Sequence, residues 1–409
     1  MSNKFIKSLS VLMMGSAFSN VLIVITTPIL TRLYTPEEFG HLSVFLSVLF
    51  TLSIIASLRL ETAIPLPKKD KDAHQLAILS IAVVVIISTL TFIVTLLIPF
   101  QEKYIFLVSF SLFGIGLYQV FNAWAIRVES FGVISKAKIA MNGGQLSVQL
   151  LLGVFQFGLI GLLVGEVVGR IAGSISYMKQ FKIHFPTRQV VNLPLMKQVT
   201  SRYKSFPLLS NWAALINSFG SQLPTFFLAF HFDPTTAGLV FLAQRIGNIP
   251  EGLIGFSASQ VYISQAAIYA RTSIKEIESF FWEIVKKMLI MGAFAMIAAS
   301  ITIPFVIELV FGEVWKDSGV YLQILAILYL MKIIINPISG NFIIFEALTF
   351  QIISECIRLL FIGGSILIAY FYFSSPYAAM ICITLISSLG YFIHGFFAWF
   401  VMKRRLANI

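Results

Sequence analysis

Long apolar runs, separated by charged residues or by Pro and Gly, follow one another along almost the whole chain of 409 residues. A run of about 20 residues, at ~1.5 Å per residue, crosses a hydrocarbon core of ~30 Å as a helix. The runs do not alternate apolar and polar positions, which argues against a transmembrane β-barrel. The pattern predicts an all-α integral membrane protein with twelve spans, at about 8–32, 39–64, 74–99, 103–127, 137–157, 159–180, 205–231, 236–267, 281–307, 318–345, 349–373 and 377–401.

A basic stretch near the middle interrupts this series. It predicts an N-terminal lobe of six helices over 1–180, a cytoplasmic linker over 181–204 and a C-terminal lobe of six helices over 205–409. Pro36 and Gly40 recur as Pro234 and Gly238 at a constant offset of 198 residues, and the span before each pair contains a proline. Chance accounts for any one of these matches, but together they indicate an internal repeat of two lobes with the same orientation.

The balance of charge changes the interpretation of the loops. The chain has 29 Lys and Arg against 18 Asp and Glu, but most of the cations fall in loops on one side of the predicted spans. This is the asymmetry of the positive-inside rule, so we expect both termini in the cytoplasm and do not expect nucleic acid as a partner. The predicted location is the cytoplasmic (inner) membrane, crossed many times.

The stretch from Val240 to Ser264 is apolar and long enough to span a membrane, yet it carries Arg245 near its expected midpoint. A cation at that depth costs at least a few kcal/mol, so it should face a wet passage or a partner. At 100° per residue Arg245, Asn248, Gly252 and Ser259 share one stripe. We therefore expect this stripe to line a passage.

Three further cations lie inside or at the end of predicted spans: Arg59, Lys332 and Arg358. The i, i+3 spacing places Glu355 to neutralise Arg358, and the i, i+4 spacing places Glu166 to neutralise Arg170. Lys332 and Arg245 have no obvious partner nearby in the sequence, which leaves open a partner on another helix. Cations held in a cavity suit an anionic substrate such as a phosphate or diphosphate. The candidate substrate-binding residues are Arg59, Arg245, Asn248, Lys332 and Arg358.

Prolines inside predicted spans release backbone groups and bend the helix. Pro28, Pro224 and Pro250 are candidate hinges between inward-open and outward-open states, and a static kink is the alternative interpretation. Pro28 and Pro224 occupy matching places in the two predicted lobes.

Signals for catalysis are weak in this sequence. It has no Walker-type phosphate loop, and its five histidines lack ligand spacing. Cys356 and Cys382 lie in apolar runs and are expected to be small buried side chains. We expect neither an enzyme nor a cofactor or metal.

Three segments resemble a known family. They are TPILTRLYTPEEFG (27–40), RLETAIPLPKKDKD (59–72) and AQRIGNIPEGLIGFSASQ (243–260). These segments are similar to those of the Wzx-type flippases of bacterial polysaccharide synthesis, in the multidrug/oligosaccharidyl-lipid/polysaccharide (MOP) exporter superfamily.

The resemblance implies a MATE-like fold with two six-helix lobes around a central cavity. It also implies alternating access that moves an undecaprenyl-diphosphate-linked oligosaccharide to the outer face, for O-antigen, capsule or exopolysaccharide synthesis. The expected partners are that lipid-linked oligosaccharide, membrane lipid, and the polymerase and glycosyltransferases of the pathway.

The sequence leaves two alternative functions open. An ion-coupled exporter of drugs or other small molecules on the same fold would depend on buried Glu251 or Glu355. A membrane scaffold for glycan assembly would depend instead on the basic linker, through Lys197, Arg202 and Lys204.

Overall fold

The computed structural model describes residues 18–19, 21–97, 104–181, 192–272, 274–345 and 347–407. This described part is nearly all helical and contains no strand, which confirms the predicted fold class. The helices are α1 (Val21–Leu33), α2 (Pro36–Ile55), α3 (Asp70–Leu97), α4 (Leu107–Arg127), α5 (Phe131–Val154), α6 (Leu159–Phe181), α7 (Leu193–Arg202), α8 (Asn211–Phe227), α9 (Pro234–Pro250), α10 (Phe256–Thr272), α11 (Ile274–Phe311), α12 (Asp317–Ile338), α13 (Asn341–Ile344), α14 (Leu348–Tyr372) and α15 (Pro376–Ala407).

Within the described ranges, eight helical segments are long and apolar enough to cross a membrane. The other predicted spans fall on α1, α5, α8 and the α9–α10 segment. Helix α1 is described only from Val21, and α8 and the α9–α10 segment are flanked or divided by π-helical turns. The number of twelve spans stays a prediction.

The chain divides into two compact units, Met1–Phe219 (unit 1) and Gly220–Ile409 (unit 2). The predicted boundaries at 180 and 204 stay predictions. Helix α7, which comes from the predicted linker, packs against α3 and belongs to unit 1.

Close packing in unit 1 depends on glycines of α6. A Cβ on Gly169 would lie 2.8 Å from the Met141 carbonyl oxygen of α5, and one on Gly173 would lie 2.9 Å from the Met141 Cβ. Side chains at these positions would force the helices apart, as in membrane packing through small residues. Glu166 and Arg170, on the same helix, form an ion pair of 3.0 Å, which confirms the neutralised pair expected from their i, i+4 spacing.

The second predicted span of unit 1 is shorter than expected. Helix α2 ends at Ile55, and Leu58 and Arg59 then adopt positive φ values of 52° and 58°. These bulky residues in the left-handed region cost of order 1–2 kcal/mol each, so packing has to hold them there. A 3₁₀ turn, Leu60–Ala63, follows, and the predicted continuous helix to 64 is therefore wrong.

Matching caps begin α2 in unit 1 and α9 in unit 2. The Thr35 side chain accepts a hydrogen bond from the Glu38 N–H, and Glu38 accepts one from the Thr35 N–H at 2.8 Å. Asp233 likewise accepts from the Thr236 N–H at 2.8 Å. In both cases a proline directly follows the cap residue. It occupies the first position of the helix, where proline is favoured.

A π-helical turn, Glu251–Gly255, joins α9 to α10. It directly follows Pro250, whose ring prevents the regular hydrogen bond to the preceding turn. The wider turn shifts the helical phase of the residues after it, so Ser259 does not continue the straight stripe predicted from Arg245.

Candidate functional site

A charged cluster in unit 2 lies where the end of α9 meets α12. The Lys332 Nζ is 3.6 Å from the Glu251 Oε2, and both side chains are about one fifth exposed, at 24% and 20%. The Asn336 Nδ2 donates to the Glu251 Oε1 at 3.0 Å. Lys332 therefore has a counterion on another helical segment, far from it in the sequence, which is the alternative that the sequence left open.

An aromatic contact sets the position of this ion pair. The Tyr329 hydroxyl donates to the Gln244 carbonyl oxygen at 3.1 Å, and the Lys332 Nζ lies 4.9 Å from the centre of the Tyr329 ring. The ring also occupies the space that a Cβ on Gly247 would need. Glycine at 247 thus lets α9 approach α12 closely enough for Glu251, about one turn later, to reach Lys332.

The contacts form two matching rows on the facing helices. Residues 244, 247 and 251 are spaced i, i+3 and i+7, and so are residues 329, 332 and 336. This spacing places each set on one helical face. Sequence reasoning missed Tyr329 and Asn336, although their spacing from Lys332 was visible.

Arg245 and Asn248 lie on the flank beside the row that faces α12. Arg245 is half-buried and Asn248 is exposed. A Cβ on Gly252 would meet open space, so this flank of α9 is open at the turn that follows Asn248. The part of the predicted polar stripe that lies before the π-helical turn is thus half-buried at Arg245 and exposed at Asn248.

Arg358 belongs to a second polar group of unit 2. Its Nη2 lies 3.1 Å from the Glu355 Oε2, and its guanidinium carbon is 4.6 Å from the centre of the Tyr391 ring. This confirms the expected neutralising pair. Nearby, His394 lies 3.0 Å from each of the Ser354 and Ser339 hydroxyls, which fits a helix-contact role.

Arg59 lies in unit 1, at the backbone break after α2. It is half-buried, and its Nε is buried without a hydrogen-bond partner. The Ser57 hydroxyl donates to the Glu61 carboxylate across the same break. Of the predicted site residues, Lys332 pairs with Glu251 and Arg358 pairs with Glu355 in unit 2. Arg59 belongs to unit 1.

Each candidate hinge proline lies inside a helical segment. Pro28 is in α1, where the Thr26 and Thr27 hydroxyls each donate at 2.6 Å to a carbonyl four residues earlier. Pro224 is in α8, four residues before a π-helical turn at Leu228–Phe232, and Pro250 ends α9. Their role as hinges stays a prediction.

Two further features concern possible metal ligands and the cysteines. Within the described ranges, no group of three or more His, Cys, Asp or Glu side chains is placed to hold a metal ion. Cys356 is exposed and Cys382 is half-buried, so the expectation that both are buried is wrong for Cys356 and holds only in part for Cys382.

Comparisons with solved structures show the fold. The chain matches an inward-facing MATE multidrug resistance transporter of the MOP superfamily with a TM-score of 0.76 and 14% identity, over 94% of this chain and 95% of that one. It matches the lipid II flippase MurJ, in an inward closed conformation, with a TM-score of 0.71 and 12% identity, over 96% and 87%.

A third match is a MOP-superfamily transporter from Pyrococcus furiosus, described as having a binding pocket of reversed polarity, with a TM-score of 0.65 and 14% identity over 97% and 95%. Together with the apolar helices, these matches identify a multi-pass membrane protein with the MOP transporter fold. No curated protein sequence matches the chain.

A family model described as polysaccharide biosynthesis protein matches residues 29–320, which include α2, the charged end of α9 and the first residues of α12. Because this match covers well over half of the 409 residues, the chain belongs to the polysaccharide biosynthesis protein family.

Proposed function

We propose that this protein flips an undecaprenyl-diphosphate-linked oligosaccharide across the bacterial cytoplasmic membrane by alternating access, for synthesis of a surface polysaccharide. Membership of the polysaccharide biosynthesis family supports a glycan pathway. The MOP transporter fold, which the lipid II flippase shares, supports transport of a lipid-linked cargo. In this proposal both termini lie in the cytoplasm. The protein moves the cargo and does not alter it chemically.

The observation that carries the proposal is the charged end of α9. Arg245 and Asn248 lie on its accessible flank, next to the row where Glu251 binds Lys332. A guanidinium donates paired, charge-assisted hydrogen bonds to phosphate oxygens, so Arg245 suits the diphosphate group.

Lys332 binds the cargo in competition with a carboxylate of the protein itself. A diphosphate that approaches Lys332 has to compete with the Glu251 carboxylate, which Asn336 retains through its amide. Such exchange of one anion for another limits the gain in binding free energy and allows release of the cargo after transport. Arg358, with its own carboxylate, and Arg59, at the break after α2, contribute further positive charge.

Transport in proteoliposomes tests the proposal. The reconstituted chain should expose a fluorescent undecaprenyl-diphosphate oligosaccharide to an external glycosidase, while empty liposomes do not. A matched lipid with a single phosphate should move at least several-fold more slowly, because it offers fewer acceptors to Arg245.

The alternative exporter function gives the opposite pattern. If the proteoliposomes moved a small cationic dye in response to an ion gradient, and left the lipid-linked oligosaccharide on its original side, the flippase proposal would be wrong.

A further inference from the structure

A basic surface of unit 1, called the basic rim, consists of the loop 66–71 before and into α3 and of residues 193–204 in and after α7. We propose that the basic rim binds the headgroups of anionic phospholipids at the membrane surface. This proposal concerns the bilayer around the protein and does not depend on the identity of the transported cargo.

The first observation is that Arg127 holds the loop in one shape. Its Nη1 donates to the carbonyl oxygens of Ile64, Pro65 and Pro67 at 3.2, 3.4 and 2.8 Å. Its Nη2 lies 2.8 Å from the Asp70 Oδ1. Two prolines further restrict the backbone, so the lysines of this loop are presented with little loss of backbone entropy on binding.

The second observation is that α7 packs beside the same end of α3. The Asn192 N–H donates to the Gln75 Oε1 at 3.3 Å, and the Asn192 side chain caps α7 by accepting from the Leu195 N–H at 3.0 Å. Val199 is buried in a core that includes Ala73 of α3. The loop and α7 are therefore parts of one surface at the start of a membrane-length helix.

The composition of this surface fits a lipid boundary. Leu66 and Leu193 are 56% and 70% exposed. The same two segments carry six exposed cations: Lys68, Lys69, Lys71, Lys197, Arg202 and Lys204. The acidic residues near the loop are Asp70, which pairs with Arg127, and the half-buried Asp72, while Glu129 is exposed two residues after Arg127.

The charge of the basic rim favours binding of anionic lipid headgroups over a face that only contacts water. Clusters of four to eight Lys and Arg next to a membrane span attract anionic lipids by about 1 kcal/mol per cation, and exposed leucines insert into the headgroup region. Because α3 begins at Asp70 as a span candidate, the lysines lie at the level where phospholipid phosphates are found.

Native mass spectrometry of the full chain in detergent tests the proposal, with phosphatidylglycerol and phosphatidylcholine of equal acyl chains as probes. The unmodified protein should bind phosphatidylglycerol at least ~10-fold more tightly at low salt, and added salt should reduce the difference. Two variants neutralise the basic rim in halves: K68Q/K69Q/K71Q and K197Q/R202Q/K204Q. Each should lose roughly 10-fold or more of the affinity for phosphatidylglycerol.

The matched control is K286Q/K287Q/K316Q, which removes three exposed cations of unit 2. It should keep the preference for phosphatidylglycerol. Equal affinity of the unmodified protein for the two lipids would overturn the proposal, and so would an unchanged preference in both rim variants. Tighter binding of a poly-glutamate peptide, with no preference among lipids, would point to an acidic protein partner and would also overturn it.

Discussion

The helices that follow the matching loops of the two units start alike but carry different chemistry. Counted from the caps Thr35 and Asp233, Ser47 and Ser53 of α2 correspond to Arg245 and Glu251 of unit 2. Ser47 and Ser53 are buried, and their hydroxyls donate at 2.8 Å to backbone carbonyls of their own helix. At these two positions unit 1 has hydroxyls bonded to their own helix, whereas in unit 2 Glu251 binds a side chain of another helix.

The two helices also end differently. Helix α2 breaks at two residues with positive φ, Leu58 and Arg59, whereas α9 continues through a π-helical turn into α10. The difference teaches that matching helices of the two units can carry charged residues in one unit and serines at the corresponding positions of the other. In the proposed mechanism unit 2 holds the phosphates, and the corresponding helix of unit 1 is mainly packing.

The largest expected effect is that of Arg245→Ala. Loss of a charge-assisted contact to a diphosphate costs about 2–3 kcal/mol, which corresponds to roughly 30- to 150-fold weaker binding. Display of surface glycan by cells that depend on this protein should be lost at a normal protein level. The matched control Ser47→Ala should display glycan normally, because Ser47 bonds within its own helix. Normal display by Arg245→Ala would contradict the proposed role.

Lys332→Ala should reduce both stability and transport. The substitution leaves the Glu251 carboxylate partly buried without its cation, at a cost of about 1–3 kcal/mol after allowance for its partial exposure. The double variant K332A/E251Q should recover most of the stability but not the transport rate. Thermal unfolding and proteoliposome transport measure the two effects, and additive losses of stability would show that the residues do not interact.

Gly247→Ala should destabilise unit 2 by about 1–3 kcal/mol, because its Cβ would overlap the Tyr329 ring. Gly252→Ala is the control on the same segment. Its Cβ meets open space, so its effect on the free energy of unfolding should stay within about 1 kcal/mol. Similar melting temperatures for the two variants would disprove the close approach of α9 and α12.

Pro250→Ala should have the smallest effect. It restores an N–H to the helix and favours a regular α-helical turn over the π-helical one. If Pro250 acts as a hinge, transport should slow by roughly two- to five-fold with unchanged affinity for the cargo. The transport rate of Pro28→Ala tests the candidate hinge of unit 1 in the same way. A normal transport rate for Pro250→Ala would indicate a static kink.

Local patterns in the sequence predicted much of the structure. The apolar runs predicted the helices, and i, i+3 or i, i+4 spacing predicted the pairs of Arg358 with Glu355 and of Arg170 with Glu166. These features depend on residues within one or two turns of one another. A single sequence is sufficient to find them.

Features that depend on distant contacts could not be predicted in the same way. Glu251 and Lys332 lie on separate helical segments, which pack together at contacts such as that of Tyr329 on Gly247. The break at Leu58 and Arg59 has no glycine to indicate it, because tertiary packing imposes the positive φ values. The π-helical turn after Pro250 could not be predicted either, because a proline is compatible both with a simple kink and with a wider turn.

Equilibrium binding of a short-chain polyprenyl diphosphate to the full chain in detergent tests the central claim most directly. The protein should bind the diphosphate at least ~10-fold more tightly than the monophosphate, and Arg245→Ala should remove this preference while Ser47→Ala keeps it. Equal binding of the two lipids by the unmodified protein, or a preference that survives in Arg245→Ala, would contradict the assignment of phosphate recognition to unit 2.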